Sequence, residues 1–339
     1  MRGGMTKEGG DSDDPRARPD EPIASVARRA LFLHLRRLEE CEPGAQAGRE
    51  PEALHDMRVA VRRIRVILLV FGQHLDGKEA QAVARELRSL GRTLGAVRDL
   101  DVLIGETRTS LGTHKSEDAR GGLLTTLRLA GDRERALMLA RLQNGKHTLL
   151  KRRIRLLASR PAKSPRAGNR HPVLVRDIAA EALRDRLAKV WGRLEQASKK
   201  PTPRQLHRLR IAGKRLRYTM EFLRGALGAD TDDALRELRR AQDLLGRLQD
   251  AEMAMKRTQE AWRLVERAGG APSTLAQERA YIRLRARERE MLLAAAPREA
   301  LNLLGPSLGQ LVTASLTAHR PRGGHTGDAR SRVRGSRGG

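Results

Sequence analysis

Two stretches of the chain place a histidine and a row of cations at helical spacing. Residues 54–65 read LHDMRVAVRRIR and residues 206–217 read LHRLRIAGKRLR, so both fit L-H-x-x-R-[VI]-A-x-[KR]-R-[IL]-R at an offset of 152. A second pair follows in the same order: LGAVRD at 94–99 and LGRLQD at 245–250, offset by 151. Two matched blocks in one order mark an internal duplication. Arginine brings a planar fork of donors, lysine a mobile point charge, and histidine a ring donor that gains charge beside an anion. The chemistry common to these groups is holding oxyanions, phosphate above all.

Such residues act together only on a helix. At about 100° per residue, His55, Arg58, Arg62 and Arg65 fall within a stripe about 80° wide, with Met57, Val61, Ile64, Ile67, Leu68 and Phe71 opposite. His207, Arg210, Lys214 and Arg217 repeat the stripe opposite Leu209, Leu216, Met220 and Leu223. Thr202 as N-cap, Pro203 in the first turn and Gln205 at the reciprocal capping position predict where the second helix starts. A solvated helix face ordinarily mixes signs to gain i,i+4 pairs, whereas these stripes stack cations where they repel. An anion relieves that repulsion. From His55 to Arg65 the stripe spans about 15 Å, a length suited to an extended polyanion.

The wider composition agrees. The 339 residues hold 68 Lys+Arg against 41 Asp+Glu, a net charge of +27. Residues 1–24 carry −2 and residues 317–339 carry +5, which leaves +24 on the part expected to fold. Aromatics are 2% of the chain while Leu, Ala and Arg dominate, which predicts helices. Helical periodicity is broken near 44–51, 72–77, 112–122, 198–203, 225–230 and 269–273, and most strongly at 160–172, where three prolines fall within thirteen residues. The expected organisation is therefore a disordered segment at 1–24, helical halves at 25–160 and 173–316 joined by a linker at 161–172, and a disordered basic tail at 317–339. Cys41 is the single cysteine, which excludes a disulfide framework and fits a reducing compartment. Neither a membrane span nor a signal-peptide core is visible, so a cytoplasmic protein is expected.

The two block pairs closely resemble the CHAD family, the conserved histidine α-helical domain, over roughly residues 25–300. The resemblance implies an all-α fold of two four-helix bundles related by pseudo-twofold symmetry, with a basic surface between them. It implies binding of inorganic polyphosphate and association with polyphosphate granules. Matched position by position, His55, Arg58, Arg62, Arg63, Arg65, His207, Arg210, Lys214, Arg215 and Arg217 form the implied phosphate-contacting set. No E-x-E-x-K segment of the CYTH triphosphatase domain carried by many relatives is present, so the sequence resembles a stand-alone member. Gly213 stands for Val61 and Gln249 for Arg98, so the two halves need not contribute equally.

Other readings weigh less. Asp99 and Asp101 form a D-x-D, but residues two apart on a helix diverge. Asp99, Asp101 and Asp250 are assigned to structural support of nearby arginines rather than to a metal. No phosphate-cradling glycine loop, H-E-x-x-H or G-x-S-x-G occurs, and His55 and His207 lack the positioned carboxylate of a phosphorylated or acid–base histidine. Neither catalysis nor a cofactor is expected. Non-specific nucleic-acid binding stays open as an alternative, weakened by the scarcity of rings on which bases stack; a polyphosphate hydrolase is a further one. The other histidines are expected in loops or on the surface, and Trp191 and Trp262 in the core.

Overall fold

A computed structural model describes residues 17–48, 51–111, 122–159, 172–268 and 272–317. Residues 1–16, most of the expected linker and residues 318–339 of the expected tail lie outside the described residues. The fold is all-α. The first half runs α1 (Ile23–Ala47), α2 (Pro51–Phe71), α3 (Gly77–Leu111), α4 (Leu123–Leu142) and α5 (Gly145–Ser159). The second runs α6 (Val175–Lys199), α7 (Pro203–Leu223), α8 (Thr231–Arg267), α9 (Pro272–Leu304) and α10 (Pro306–Thr317).

In the first half α1, α2, α3 and α5 close a ring; in the second α6, α7, α8 and α10 do so, with α9 laid along α8. The apolar stripes of α2 and α7 supply the centre: Met57, Ile64, Leu209, Leu216 and Met220 are fully buried. One apolar core runs through both halves. Phe71 at the end of α2 and Phe222 near the end of α7 stack across the junction with centroids 4.2 Å apart. A smaller cluster joins Leu100 and Leu103 of α3 to Leu123 and Leu127 of α4 and Tyr281 of α9.

Local chemistry explains the boundaries, and it corrects several expectations. Thr202 Oγ1 accepts the Gln205 amide at 3.3 Å, but Gln205 Oε1 is buried without a hydrogen-bond partner, so only one half of the capping box forms. Despite Pro43, α1 continues to Ala47 and stops at Gly48, whose φ of 69° only glycine adopts cheaply. Residues 17–24, assigned to disorder on composition, are tied to the fold. The Ile23 amide donates to Val173 O at 3.0 Å, and the Val175 and Arg176 amides donate back to Glu21 O and Pro19 O. The extended backbone ahead of α6 offers unpaired groups that this segment satisfies.

His34 and His147 are buried rather than superficial. His147 faces Glu42, which also takes Lys151 Nζ at 2.7 Å and so pins α5 to α1; burial holds the His147 imidazole below its ordinary pKa against the pull of Glu42. Arg153 clamps α5 to α3 through Glu79 and Glu86. Trp262 is in the core as expected, but Trp191 is 43% exposed, its ring lying on Gly309 of α10. Among the described residues no helix is long and apolar enough to cross a membrane.

Candidate functional site

Helices α2, α3, α7 and α8 present their polar faces to a cleft of about 890 Å³ that α9 closes on one side. From the two stripes, His55, Arg58, Arg62, Arg210 and Lys214 line it. They are joined by Arg98 of α3, by Arg247 and Arg257 of α8, and by Arg285 and Arg287 of α9. The opposite wall is apolar, with Leu284 and Met291 of α9 facing Val102 and Leu244.

The repeated L-G-x-x-[RQ]-D segments explain themselves here. Gly95 and Gly246 are buried on α3 and α8, and the guanidinium groups of Arg58 and Arg210 lie across them at about the distance a methyl group would touch. Four residues on, Asp99 and Asp250 follow. Arg58 Nη1 reaches Asp99 Oδ1 at 3.5 Å. Asp250 keeps one side open to the cleft while protein crowds the rest; that burial raises its pKa, with Arg210 opposing and Asp99 adding to the rise. Asp101 points elsewhere and takes Arg135 Nη2 on both oxygens at 3.1 Å. The D-x-D thus splits between two arginines, and among the described residues no group of three or more His, Cys, Asp or Glu converges on a metal position.

At the centre the cations outnumber their partners. Arg62 Nε and Arg210 Nε are buried without a hydrogen-bond partner, as is Arg257 Nε. Lys214 sits between the two halves, and its pKa is pushed down to about 7 by burial first, then by Arg210, Arg62 and Arg217, with Asp250 opposing. Arg62 is likewise lowered, chiefly by burial. Buried donors without acceptors among the described residues, beside a lysine whose charge is disfavoured by burial and neighbouring arginines, are chemically suited to an anion.

The remaining stripe residues separate. Arg217 stacks on Tyr218 at 4.3 Å and donates to Gln242 and Glu221, while Arg62 covers the same ring at 5.4 Å. His207 is tethered through Nδ1 to Gln249, whereas its counterpart His55 is exposed and lines the cleft with Arg98, so the two histidines have different surroundings. Arg63 lies next to Arg62. Arg65 faces Arg88, Arg215 and Arg92 instead of the cleft, with its Nε buried and unpartnered. Arg215 turns toward α6.

The cations of α3, α8 and α9 escaped the sequence reading, although Arg247, Asp250, Ala254 and Arg257 repeat every three or four residues along α8 and so share a face. The break at 269–273 marks where α9 starts, but nothing in the sequence signalled its place on the cleft, which it reaches through long-range packing.

Known proteins share this architecture. The structure matches the crystal structure of the CHAD domain from the plant Ricinus communis with a TM-score of 0.59 and 24% identity, covering 91% of this chain and 96% of that one. It matches PptA from Streptomyces chartreusis with a TM-score of 0.62 and 20% identity, covering 84% and 99%. In sequence, the uncharacterized proteins MT2285 and Rv2226 of Mycobacterium tuberculosis strains are each 29% identical over 238 residues, 68% of this chain and 44% of theirs. The chain thus spans less than half the length of these relatives. The family model described as the CHAD domain matches residues 29–259, which takes in both histidine–arginine blocks and both glycine–aspartate blocks, and the chain belongs to that family.

Proposed function

We propose that this chain binds inorganic polyphosphate in the cleft between its halves and leaves the polymer intact. The observation that carries this reading is the set of buried, unpartnered guanidinium nitrogens of Arg62 and Arg210 on either side of Lys214. Both arginines line the cleft, and phosphate oxygens supply acceptors and charge together. The proposed contacts are His55, Arg58, Arg62, Arg210 and Lys214, with Arg98 and Arg257 added from α3 and α8. Arg63, Arg65, His207, Arg215 and Arg217 extend the field around them. Asp99, Asp101 and Asp250 hold the arginines in place. Polyphosphate binding is also what the family resemblance implies, and it would bring the chain to polyphosphate granules.

Nucleic acid fits less well. Among the described residues the cleft lining contains no Phe, Tyr or Trp. Tyr218, the ring beside the second basic block, is buried and covered by Arg62 and Arg217, so it offers no platform for a base.

The test mixes purified protein with long-chain polyphosphate at physiological salt, titrates in equal phosphate equivalents of single-stranded DNA, and runs the recovered polymer on a gel. The variant Arg58→Glu/Arg62→Glu/Arg210→Glu/Lys214→Glu runs alongside, with its helix content checked by circular dichroism. Wild type is expected to keep full-length polymer against excess DNA and the folded variant to release it. Displacement one for one, equal retention by the variant, or a shortened polymer would each refute the reading.

A further inference from the structure

The duplication is broken on one flank. Helices α1 and α6 align at the offset of 152 that relates α2 to α7, so the outer grooves α1–α2 and α6–α7 compare residue by residue. In the first half the groove positions are His34, Arg37, Cys41, Asp56 and Arg63; in the second they are Arg186, Lys189, Arg193, Arg208 and Arg215. The first set is close to neutral: His34 and Cys41 are buried, and Arg37 donates to Asp56. The second set is five cations lining a groove of about 250 Å³, with Ile211 and Ala212 at its base. Lys189 pairs with Asp185 and Arg193 donates to Gln196. Arg186 Nε is buried without a hydrogen-bond partner.

This groove shares no lining residue with the central cleft. Charge nevertheless links it to Arg65 of α2, the helix that also carries Arg58 and Arg62 into the cleft. Arg215 feels Arg186, Arg88 and Arg193, and Arg65 feels Arg88, Arg215 and Arg92, so a run of cations leads from the α6–α7 flank across α2 to α3. Arg65 Nε is a second buried, unpartnered donor on that route. An ordinary solvated flank would show the mixed signs of α1–α2.

We propose that the α6–α7 groove is a second polyphosphate subsite, built from Arg186, Arg193, Arg208 and Arg215, which grips a distal segment of a chain already held in the central cleft. The proposal rests on the reading of the cleft as a polyphosphate site. A chain too short to reach the flank uses the cleft alone; a chain that reaches it gains a tethered contact, which multiplies affinity without changing the first one. Length preference is then a property of the flank, and only the second half of the duplication has it.

The test is the variant Arg193→Gln/Arg208→Asp. Asp at 208 recreates the first-half arrangement, with Lys189 in the place of Arg37, so the fold is not asked to accept a new pattern; an unchanged thermal midpoint checks this. Binding of tripolyphosphate, long-chain polyphosphate and single-stranded DNA is measured for wild type, this variant and Arg62→Gln/Lys214→Gln. The flank variant is expected to keep tripolyphosphate affinity and lose about tenfold or more for the long chain, the low end of what tethering supplies. The cleft variant is expected to lose both. A flank variant that binds long chains as wild type does overturns the subsite while the function stands. One that loses DNA but keeps long polyphosphate overturns it in favour of a nucleic-acid surface. Failure of wild type to bind either polyphosphate removes the parent reading and the subsite with it.

Discussion

If the proposed reading holds, Lys214 couples polyphosphate binding to proton uptake. In the free protein its pKa is pushed from 10.5 down to about 7, first by burial and then by Arg210, Arg62 and Arg217. At pH 8.5 only about 3% of such a group is charged. Phosphate oxygens beside it favour the ammonium form and return its pKa toward the ordinary range, so binding at pH 8.5 takes up about one proton per chain. Affinity then falls by up to about tenfold per pH unit as pH rises above 7, until the bound-state pKa is reached. The folded value lies below the unfolded one, so the unliganded folded chain binds fewer protons between these two values and its stability rises with pH across that window. Calorimetry at pH 8.5 in buffers of different ionisation enthalpy measures the uptake directly. Lys214→Arg keeps the charge at every accessible pH and is expected to abolish the uptake and flatten the pH dependence. Absence of uptake in wild type, or an Arg variant with the same slope, would refute the coupling.

Three further perturbations probe the scaffold. Gly213 of α7 is a buried mid-helix glycine with nothing within 4 Å of where a methyl would go; Gly213→Ala is expected to stabilise the chain by about 0.5–1 kcal/mol in urea unfolding. Phe71→Ala empties a fully buried position at the junction of the halves and removes the stack on Phe222, which is expected to cost about 3–5 kcal/mol and to lower the thermal midpoint accordingly. Gly48→Ala forces a side chain into left-handed backbone and sets its methyl 2.8 Å from Arg135 Nη1, so a loss of about 1–2 kcal/mol is expected in the same denaturation assay.

Much of this architecture is legible in the residues because it is local. The spacing of Met57, Val61, Ile64 and Leu68 gives α2 its buried face, and the opposite face then has to carry Arg58 and Arg62. The same logic places Arg210 and Lys214. What a helix face meets is set by remote packing, and there local periodicity is silent. Arg215 belongs to the block in sequence, but its angle around α7 turns it to α6. Trp191 has the apolarity of a core residue, yet its ring lies on Gly309 of α10 and stays 43% exposed. His34 and His147 looked superficial as isolated polar residues; Glu42 and the closing of α5 on α1 bury His147 with a partner. The apolar wall of the cleft is the clearest case. Leu284 and Met291 reach it from α9, far along the chain, while Arg285 of the same helix is anchored on Glu106 of α3 at 2.6 Å.

The carboxylates of the cleft follow from the same electrostatics as its cations. A cluster containing Arg58, Arg62, Arg210 and Lys214 with no counter-charge would repel itself strongly enough to oppose packing of α2 against α7. Asp99 and Asp250 supply part of that charge, one from each half, at the helix turn where the glycine lets each arginine lie flat. They supply only part. Asp99 holds Arg58 at a long 3.5 Å, Asp250 is itself disfavoured as an anion by burial, and Lys214 is left partly discharged. Tight carboxylate pairing like that of Asp101 with Arg135 would satisfy the arginines and leave nothing for a ligand. Incomplete neutralisation leaves Arg62 and Arg210 with buried nitrogens that have no hydrogen-bond partner among the described residues while the helices stay packed, which is what the proposed binding cleft requires and a salt-bridged interface between the same helices would lack.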